Sequence, residues 1–188
     1  MTLMGALLSA CASDVEQPTT LEPPSAAVST PAVATPPSGE PAPDPPAAPV
    51  LPAEGREQTA AGAIAFVRHY FAVVDYAYAT GDTAPLAAAS DPACLPCAGI
   101  KEMVDATTSA GGSYADRKTQ LVELTVPDGE PQGAVEVHVR YESDGAIRLD
   151  SGGTAVSRLE GARDDRLRIV LVPVESSWLI YDYSEMAA

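Results

Sequence analysis

Two cysteines three residues apart, Cys94 and Cys97, are the pair whose type and spacing could most readily do chemistry in this 188-residue chain. In an oxidising compartment such a pair closes a disulfide. At a helix start it could also exchange disulfides, because the helix N-terminus lowers a thiol pKa. Oxidoreductases of that kind place the motif after a strand, whereas a predicted helix precedes it here. We therefore expect a structural disulfide between Cys94 and Cys97; redox, metal-binding and free thiols are the alternatives.

Acid–base residues are few and scattered along the chain. Asp75 and Arg68 flank the apolar stripe of a predicted helix and could face a pocket. The two histidines, His69 and His138, are expected on polar faces or at the edge of a layer. No nucleophile motif, phosphate-binding loop or metal-ligand spacing occurs between residues 59 and 183. We predict no catalytic, cofactor-binding or metal-binding residue.

Three helices are predicted to position these side chains. The first begins near Thr59 and carries apolar residues at spacings of three and four: Ile64, Val67, Phe71, Val74 and Tyr78. Phe66 and Tyr70 lie off this stripe, so the helix should be covered on two sides. It should end at Gly81. A second helix is predicted from Thr83 through Ala89, and a third from an Asp91 cap to about Ser109.

The hydrophobic period changes from 3.6 to two after Ser113. Val135, Val137 and Val139 alternate with polar residues, which predicts a half-buried antiparallel strand. The other predicted strands are 121–126, 167–174, 178–183 and an interrupted stretch at 146–160. The predicted fold class is α+β, with three N-terminal helices packed on a curved antiparallel sheet of four to six strands.

The N-terminus resembles a bacterial lipoprotein signal. Leu8-Ser9-Ala10-Cys11 follows a short apolar run and resembles a lipobox, in which Cys11 receives a diacylglyceryl group and becomes the first residue. Two acyl chains give a stable membrane anchor, whereas one chain gives only marginal binding. A secretion signal begins with basic residues, and no Lys or Arg precedes Arg56. We therefore expect the translation start to lie upstream of Met1.

A proline-rich tether is predicted after the anchor. Twelve of the 18 prolines fall between Pro18 and Pro52, and such a segment cannot bury enough apolar surface to order itself. The predicted organisation is a signal remnant at 1–10, a disordered tether at 11–56 and a domain at 57–188. From Arg56 onward the chain holds all 11 basic residues and 20 of the 26 acidic ones, a formal charge of −9. That charge argues against nucleic acid as a partner.

The order of elements resembles the cone-shaped folds like nuclear transport factor two. The local sequence is similar to an actinobacterial lipoprotein family, the domain-of-unknown-function family numbered 6318, over about residues 59–183. The segments that carry the similarity are 65–71, Tyr-Ala-Tyr-Ala-Thr-Gly-Asp at 76–82, and Ser90-Asp91-Pro92 with Cys94 and Cys97. The resemblance implies a cone-like fold and a place in the cell envelope, and it brings no established activity.

These observations favour binding over catalysis. We expect a non-enzymatic domain on the extracytoplasmic face of the cell membrane, held through acylated Cys11, that binds an envelope ligand or protein. Some cone-shaped relatives isomerise small molecules with an Asp base and a Tyr donor. The resemblance therefore implies one alternative, an isomerase or hydrolase that uses Asp75 with a tyrosine. The other alternative is a thiol–disulfide oxidoreductase using Cys94 and Cys97.

Overall fold

The computed structural model describes residues 46–127 and 133–187. The predicted signal remnant at 1–10, the lipidation site Cys11 and most of the predicted tether lie outside the described residues. Three helices are followed by seven strands: α1 Ala60–Thr80, α2 Ala84–Ala88, α3 Leu95–Ser109, β1 Ser113–Ala115, β2 Thr119–Thr125, β3 Val135–Ser143, β4 Ala146–Leu149, β5 Ala155–Leu159, β6 Asp165–Val174 and β7 Ser177–Glu185. The predicted α+β class, with helices before antiparallel strands, is confirmed.

Helix α1 begins and ends as its sequence predicts. The Thr59 hydroxyl accepts a hydrogen bond from the Gly62 amide at 3.0 Å. Gly81 ends the helix in the left-handed conformation at φ 76°, where a side chain would be strained. Phe66 and Tyr70 are both buried, so the helix is covered on two sides.

The strands form two antiparallel sheets where a single sheet of four to six strands was expected. The larger sheet has the order β2-β3-β6-β7, and the smaller has the order β1-β4-β5. The chain passes from one sheet to the other at Asp144-Gly145, between β3 and β4. Gly145 has a φ of 74°, and a Cβ there would lie 2.3 Å from the Leu159 carbonyl oxygen. The tight turn at this glycine explains why β4 leaves the larger sheet.

The core lies between α1 and the larger sheet. Val137 and Val139 on β3 face α1 in the predicted alternation, and both are fully buried. The core also contains Val67, Val73, Val74, Ile169, Leu171, Trp178 and Ile180. Burial of this apolar surface is the main force that holds the helices on the sheet.

Two boundaries differ from the sequence predictions. Helix α3 is capped by Cys94 rather than Asp91, because residues 91–94 form a turn in which the Cys94 amide donates to the Asp91 carbonyl oxygen. At the N-terminal side, Leu51 packs against the core and Gly55 is buried in a short 3₁₀ helix at Glu54–Arg56. These residues were assigned to the tether, and they belong to the packed structure.

Candidate functional site

Asp75 lies on α1 and binds the segment between β1 and β2. Its Oδ1 accepts hydrogen bonds from Arg117 Nε at 3.1 Å and from the Thr119 hydroxyl at 2.8 Å. Its Oδ2 accepts from the Thr119 amide at 3.0 Å. All three bonds hold the carboxylate in place. They occupy three of its roughly four lone-pair positions and join α1 to the start of β2, so the geometry favours a structural role for Asp75.

Arg117 is held on two sides. Nε contacts Asp75, and the guanidinium carbon lies 4.5 Å from the centre of the Tyr78 ring, a cation–π arrangement. The preceding residue, Asp116, has a φ of 64°, so the chain turns sharply just before the arginine. The Arg117 side chain is 16% exposed, and its Nη atoms make no hydrogen bond to a described residue. A fixed guanidinium therefore keeps donors unused.

Three tyrosines from three elements lie near enough to Arg117 for its charge to lower their pKa: Tyr78 on α1, Tyr141 on β3 and Tyr183 on β7. A fourth, Tyr70 on α1, is coupled to Tyr183 and Tyr78. We call these four residues the tyrosine cluster. Phe71 packs against the Tyr141 ring at 5.7 Å.

Burial raises the pKa of every hydroxyl in the cluster. Desolvation is the main cause for Tyr70, Tyr78, Tyr141 and Tyr183, and the Arg117 charge opposes the increase in pKa of the last three. The phenols are therefore protonated at physiological pH. Each is available as a hydrogen-bond donor.

The hydroxyls of the tyrosine cluster lack protein partners. Tyr70 is 2% exposed, and its Oη forms no hydrogen bond of good geometry to a described residue. The Ser90 hydroxyl lowers the pKa of Tyr70 as a hydrogen-bond partner; it donates to the Leu86 carbonyl oxygen at 2.8 Å, which leaves its own oxygen available to accept from Tyr70. The other three hydroxyls also make no hydrogen bond within the described part of the chain. Within the described residues the buried hydroxyl of Tyr70 thus has at most a weak hydrogen bond, to Ser90, and the other three are not among the buried unpaired atoms.

The two cysteines are joined, which confirms the expected disulfide. Cys94 and Cys97 are 1% and 2% exposed, and the Cys94 Sγ accepts from the Cys97 amide at 3.3 Å at the start of α3. Reactive cysteines are at least partly exposed, because a partner thiolate must reach the sulfur. The buried geometry favours a structural bridge.

The two histidines lie in different surroundings. His138 Nε2 lies 2.7 Å from Glu136 Oε1 on the outer face of β3, a polar position as predicted. His69 is half-buried in an apolar groove of about 280 Å³ lined by Phe66, Pro85 and Trp178. Burial lowers the pKa of His69. Arg68, which was expected to flank a pocket with Asp75, is exposed.

Two structural features bear on ligands and membranes. Within residues 46–127 and 133–187, no group of three or more His, Cys, Asp or Glu side chains is arranged to hold a metal ion. No helix in the same part of the chain is long and apolar enough to span a membrane.

Sequence comparison places the chain in a family. The model described as "Family of unknown function (DUF6318)" matches residues 34–181, which is more than half of the chain. The chain belongs to this family. No curated protein is similar enough in sequence to count as a match. The family assignment agrees with the resemblance found in the sequence.

Solved structures resemble the domain at low sequence identity. The intermembrane space region of the chloroplast protein ARC6 superposes with a TM-score of 0.50 and 17% identity, covering 70% of this chain and 99% of that chain. Aln2 from a Streptomyces species gives a TM-score of 0.43 and 14% identity, covering 69% and 93%. Three helices packed on two antiparallel sheets are consistent with the expected cone-shaped fold like that of nuclear transport factor two.

Proposed function

We propose that this domain binds a ligand or protein of the cell envelope without turning it over, and that acylated Cys11 holds it on the extracytoplasmic face of the cell membrane. The observation that supports the absence of turnover is the engagement of Asp75. Its two oxygens accept three hydrogen bonds from Arg117 and Thr119, so the carboxylate is occupied as a structural acceptor. A general base needs to be within reach of the substrate proton and free to accept it.

The unpaired hydroxyls supply a reason for binding. An unpartnered polar group in a protein interior costs about 1–3 kcal/mol. Tyr141 and Tyr183 are half-buried, and their hydroxyls make no hydrogen bond to a described residue. A ligand that supplies acceptors to these two hydroxyls would recover part of this cost on binding.

The anchor supplies the location of the proposed function. Leu8-Ser9-Ala10-Cys11 precedes a segment rich in proline, and two acyl chains on Cys11 would retain the domain at the membrane. The segment between anchor and domain would then set how far the binding site stands from the bilayer. The proposal therefore combines location at the membrane with a binding function.

The anchor is tested by labelling the protein, expressed from its full reading frame, with an alkyne fatty acid. We expect the wild type to be labelled and recovered with membranes, and Cys11→Ser to be unlabelled. The matched control is Cys94→Ser with Cys97→Ser, which removes two cysteines and should keep the label. An unlabelled wild type in the soluble fraction would refute the anchor.

Binding without turnover is tested on the protein purified from that membrane fraction. Small molecules extracted from it are identified by mass spectrometry and returned to fresh protein. We expect saturable binding and an unchanged NMR spectrum of the ligand after prolonged incubation. Conversion of the ligand that Asp75→Asn abolishes, with the fold and affinity intact, would replace our proposal with the isomerase alternative.

A further inference from the structure

The groove beside His69 is formed by α1, α2 and the β6–β7 hairpin. It has a volume of about 280 Å³, and Phe66, Pro85, Val174 and Trp178 are among the residues that line it. We call it the Trp178 groove. No Asp, Glu, Lys or Arg and no member of the tyrosine cluster is among its described lining residues. It is therefore an uncharged surface that shares no residue with the cluster.

The chain itself shows which chemistry fits this groove. Pro49 and Leu51, in the segment before α1, line the groove beside Trp178, and Leu51 packs against the core. Later in the same segment, Glu57 has φ −75° and ψ 134°, close to the polyproline II conformation, and its carbonyl oxygen accepts a hydrogen bond from Trp178 Nε1 at 3.0 Å. Aromatic-lined grooves recognise extended, proline-rich segments. A proline and a leucine of this chain thus already form one wall of such a groove.

His69 supplies a polar group inside the groove. Its ring lies near Phe66, with 6.2 Å between the ring centroids, and its nitrogens make no hydrogen bond to a described residue. Burial lowers the pKa of His69, so the ring is neutral near physiological pH and carries one N–H donor. A polyproline II segment makes no internal hydrogen bonds, so its carbonyl oxygens need donors from outside. The groove therefore offers a donor where such a segment has acceptors.

We propose that the Trp178 groove docks an extended, proline-rich segment of another protein, with its proline rings against Phe66 and Trp178 and one main-chain carbonyl accepting from His69. This docking surface goes beyond the binding function proposed above, because it is a second site to which the tyrosine cluster does not contribute.

Charge and entropy favour this partner over other peptides. The chain has a net charge of −15, and no basic residue lines the described groove, so an acidic segment would be repelled. A basic segment would find no carboxylate among the same lining residues. A neutral proline-rich segment avoids both costs. It also holds its extended shape before it binds, so it loses little conformational entropy.

The test uses acetylated and amidated hexaproline as the probe. A peptide of alternating alanine and serine, with the same length and charge, is the control ligand. The full chain carries Cys11→Ser so that it stays in solution. Trp178 is the only tryptophan of the chain, so its single indole N–H resonance in NMR spectra reports on the groove. We expect hexaproline to shift this resonance and to bind about tenfold more tightly than the control peptide.

Two neighbouring alanines on α2 give a matched pair of variants. Ala88 is exposed and lines the groove, whereas Ala87 is exposed and is not among the residues that line it. Ala88→Leu fills the groove and should weaken hexaproline binding about tenfold, and Ala87→Leu should leave the affinity unchanged. Both changes add atoms at an exposed helix position, so both variants should fold, which circular dichroism checks.

A second pair of variants tests the hydrogen bond from His69. His69→Phe keeps an aromatic ring in the groove, removes the N–H donor and should weaken hexaproline binding about fivefold. His138→Phe makes the same change on the outer face of β3 and should leave the affinity unchanged. Equal affinities of the wild type and His69→Phe would overturn the role assigned to His69.

The docking surface and the proposed function fail in different ways. No hexaproline binding to the wild type, equal binding of the two peptides, or equal binding to Ala88→Leu and Ala87→Leu would overturn the docking surface. A wild-type dimer in sedimentation that Ala88→Leu dissociates would assign the groove to a second copy of the chain, and would overturn it too. An envelope ligand that binds while hexaproline does not leaves the proposed function standing. Hexaproline binding by a chain that is never labelled at Cys11 supports the docking surface and refutes the anchor.

Discussion

The start of α3 and the tyrosine cluster differ in whether their polar atoms are bonded to other atoms of the described chain. At the start of α3, the sulfurs of Cys94 and Cys97 are bonded to each other, and Cys94 also caps the helix. In the tyrosine cluster, Tyr70 Oη is buried without a partner among the described residues, and the Arg117 Nη donors are unused there. The first region meets its bonding needs within the chain. The second has donors that no described residue accepts, which is why we assign stability to the first and propose binding for the second.

Asp75 has a structural role and also contacts Arg117 beside the tyrosine cluster. Its substitution should have the largest effect on the free energy of unfolding. In Asp75→Asn, Arg117 loses its ionic partner while it remains 16% exposed. Hydrogen bonds to charged groups contribute roughly 1.5–3 kcal/mol, so we expect a loss of about 2–3 kcal/mol in the free energy of unfolding, measured by urea denaturation. Glu102→Gln makes the same charge change at an exposed site on α3 and should be nearly neutral. Equal effects of the two variants would contradict the structural role of Asp75.

Loss of the disulfide should have the next largest effect. The loop that Cys94 and Cys97 close is short, and chain entropy predicts a loss of about 2 kcal/mol for Cys94→Ala with Cys97→Ala. Thermal unfolding should therefore shift down by several degrees. Catalysis of insulin reduction by the wild type would show instead that the bridge is redox-active.

A pair of hydroxyl deletions sharpens the comparison further. Tyr70→Phe removes an unpartnered hydroxyl and should leave stability unchanged or increase it by up to about 1 kcal/mol. Thr107→Val removes a hydroxyl that lies 2.9 Å from Tyr114 Oη and 3.0 Å from the Met103 carbonyl oxygen. That variant should lose about 1–2 kcal/mol, because Tyr114 is left without this partner. Equal destabilisation in the two variants would mean that Tyr70 has a partner after all.

The smallest effect on stability is expected from the protonation of His69 as the pH falls. Burial lowers the pKa of His69 below its ordinary value of 6.5, so the unfolded chain takes up a proton more readily than the folded one. The stabilising effect of neutral His69 is present above pH 6.5 and is lost as the pH falls below it. The melting temperature should thus fall more between about pH 7.5 and about pH 5.5 for the wild type than for His69→Gln. His138→Gln is the control, and parallel pH profiles for the wild type and His69→Gln would contradict the prediction.

Local patterns predicted most of the elements. The spacing of Val67, Phe71 and Val74 identified α1, and the alternation around Val137 identified β3. Both periods are visible among residues that are close together in the sequence. The strand β1 was missed, since three residues are too few to show a period. The division into two sheets was missed as well, because it depends on the turn at Gly145.

The candidate site was predicted only in part. Asp75 and the cysteine pair stand out by type and position, and the buried disulfide followed from the spacing. The contact between Asp75 and Arg117 joins residues 42 positions apart, and no local period reports such a contact. Tyr183 ends the predicted strand 178–183, and its ring packs against the core. The sequence does not show that the Tyr183 hydroxyl makes no hydrogen bond, because that depends on which side chains the fold places around it.

The hydrogen bond from Trp178 to Glu57 gives the domain a mechanical property. Trp178 Nε1, on the last strand, donates to the Glu57 carbonyl oxygen at 3.0 Å, and Gln58 Nε2 donates to the Glu175 carbonyl oxygen at 3.3 Å. The residues just before α1 are thereby tied to the β6–β7 hairpin. Tension applied from the N-terminal side would therefore pass through these two hydrogen bonds into the hairpin as well as into α1.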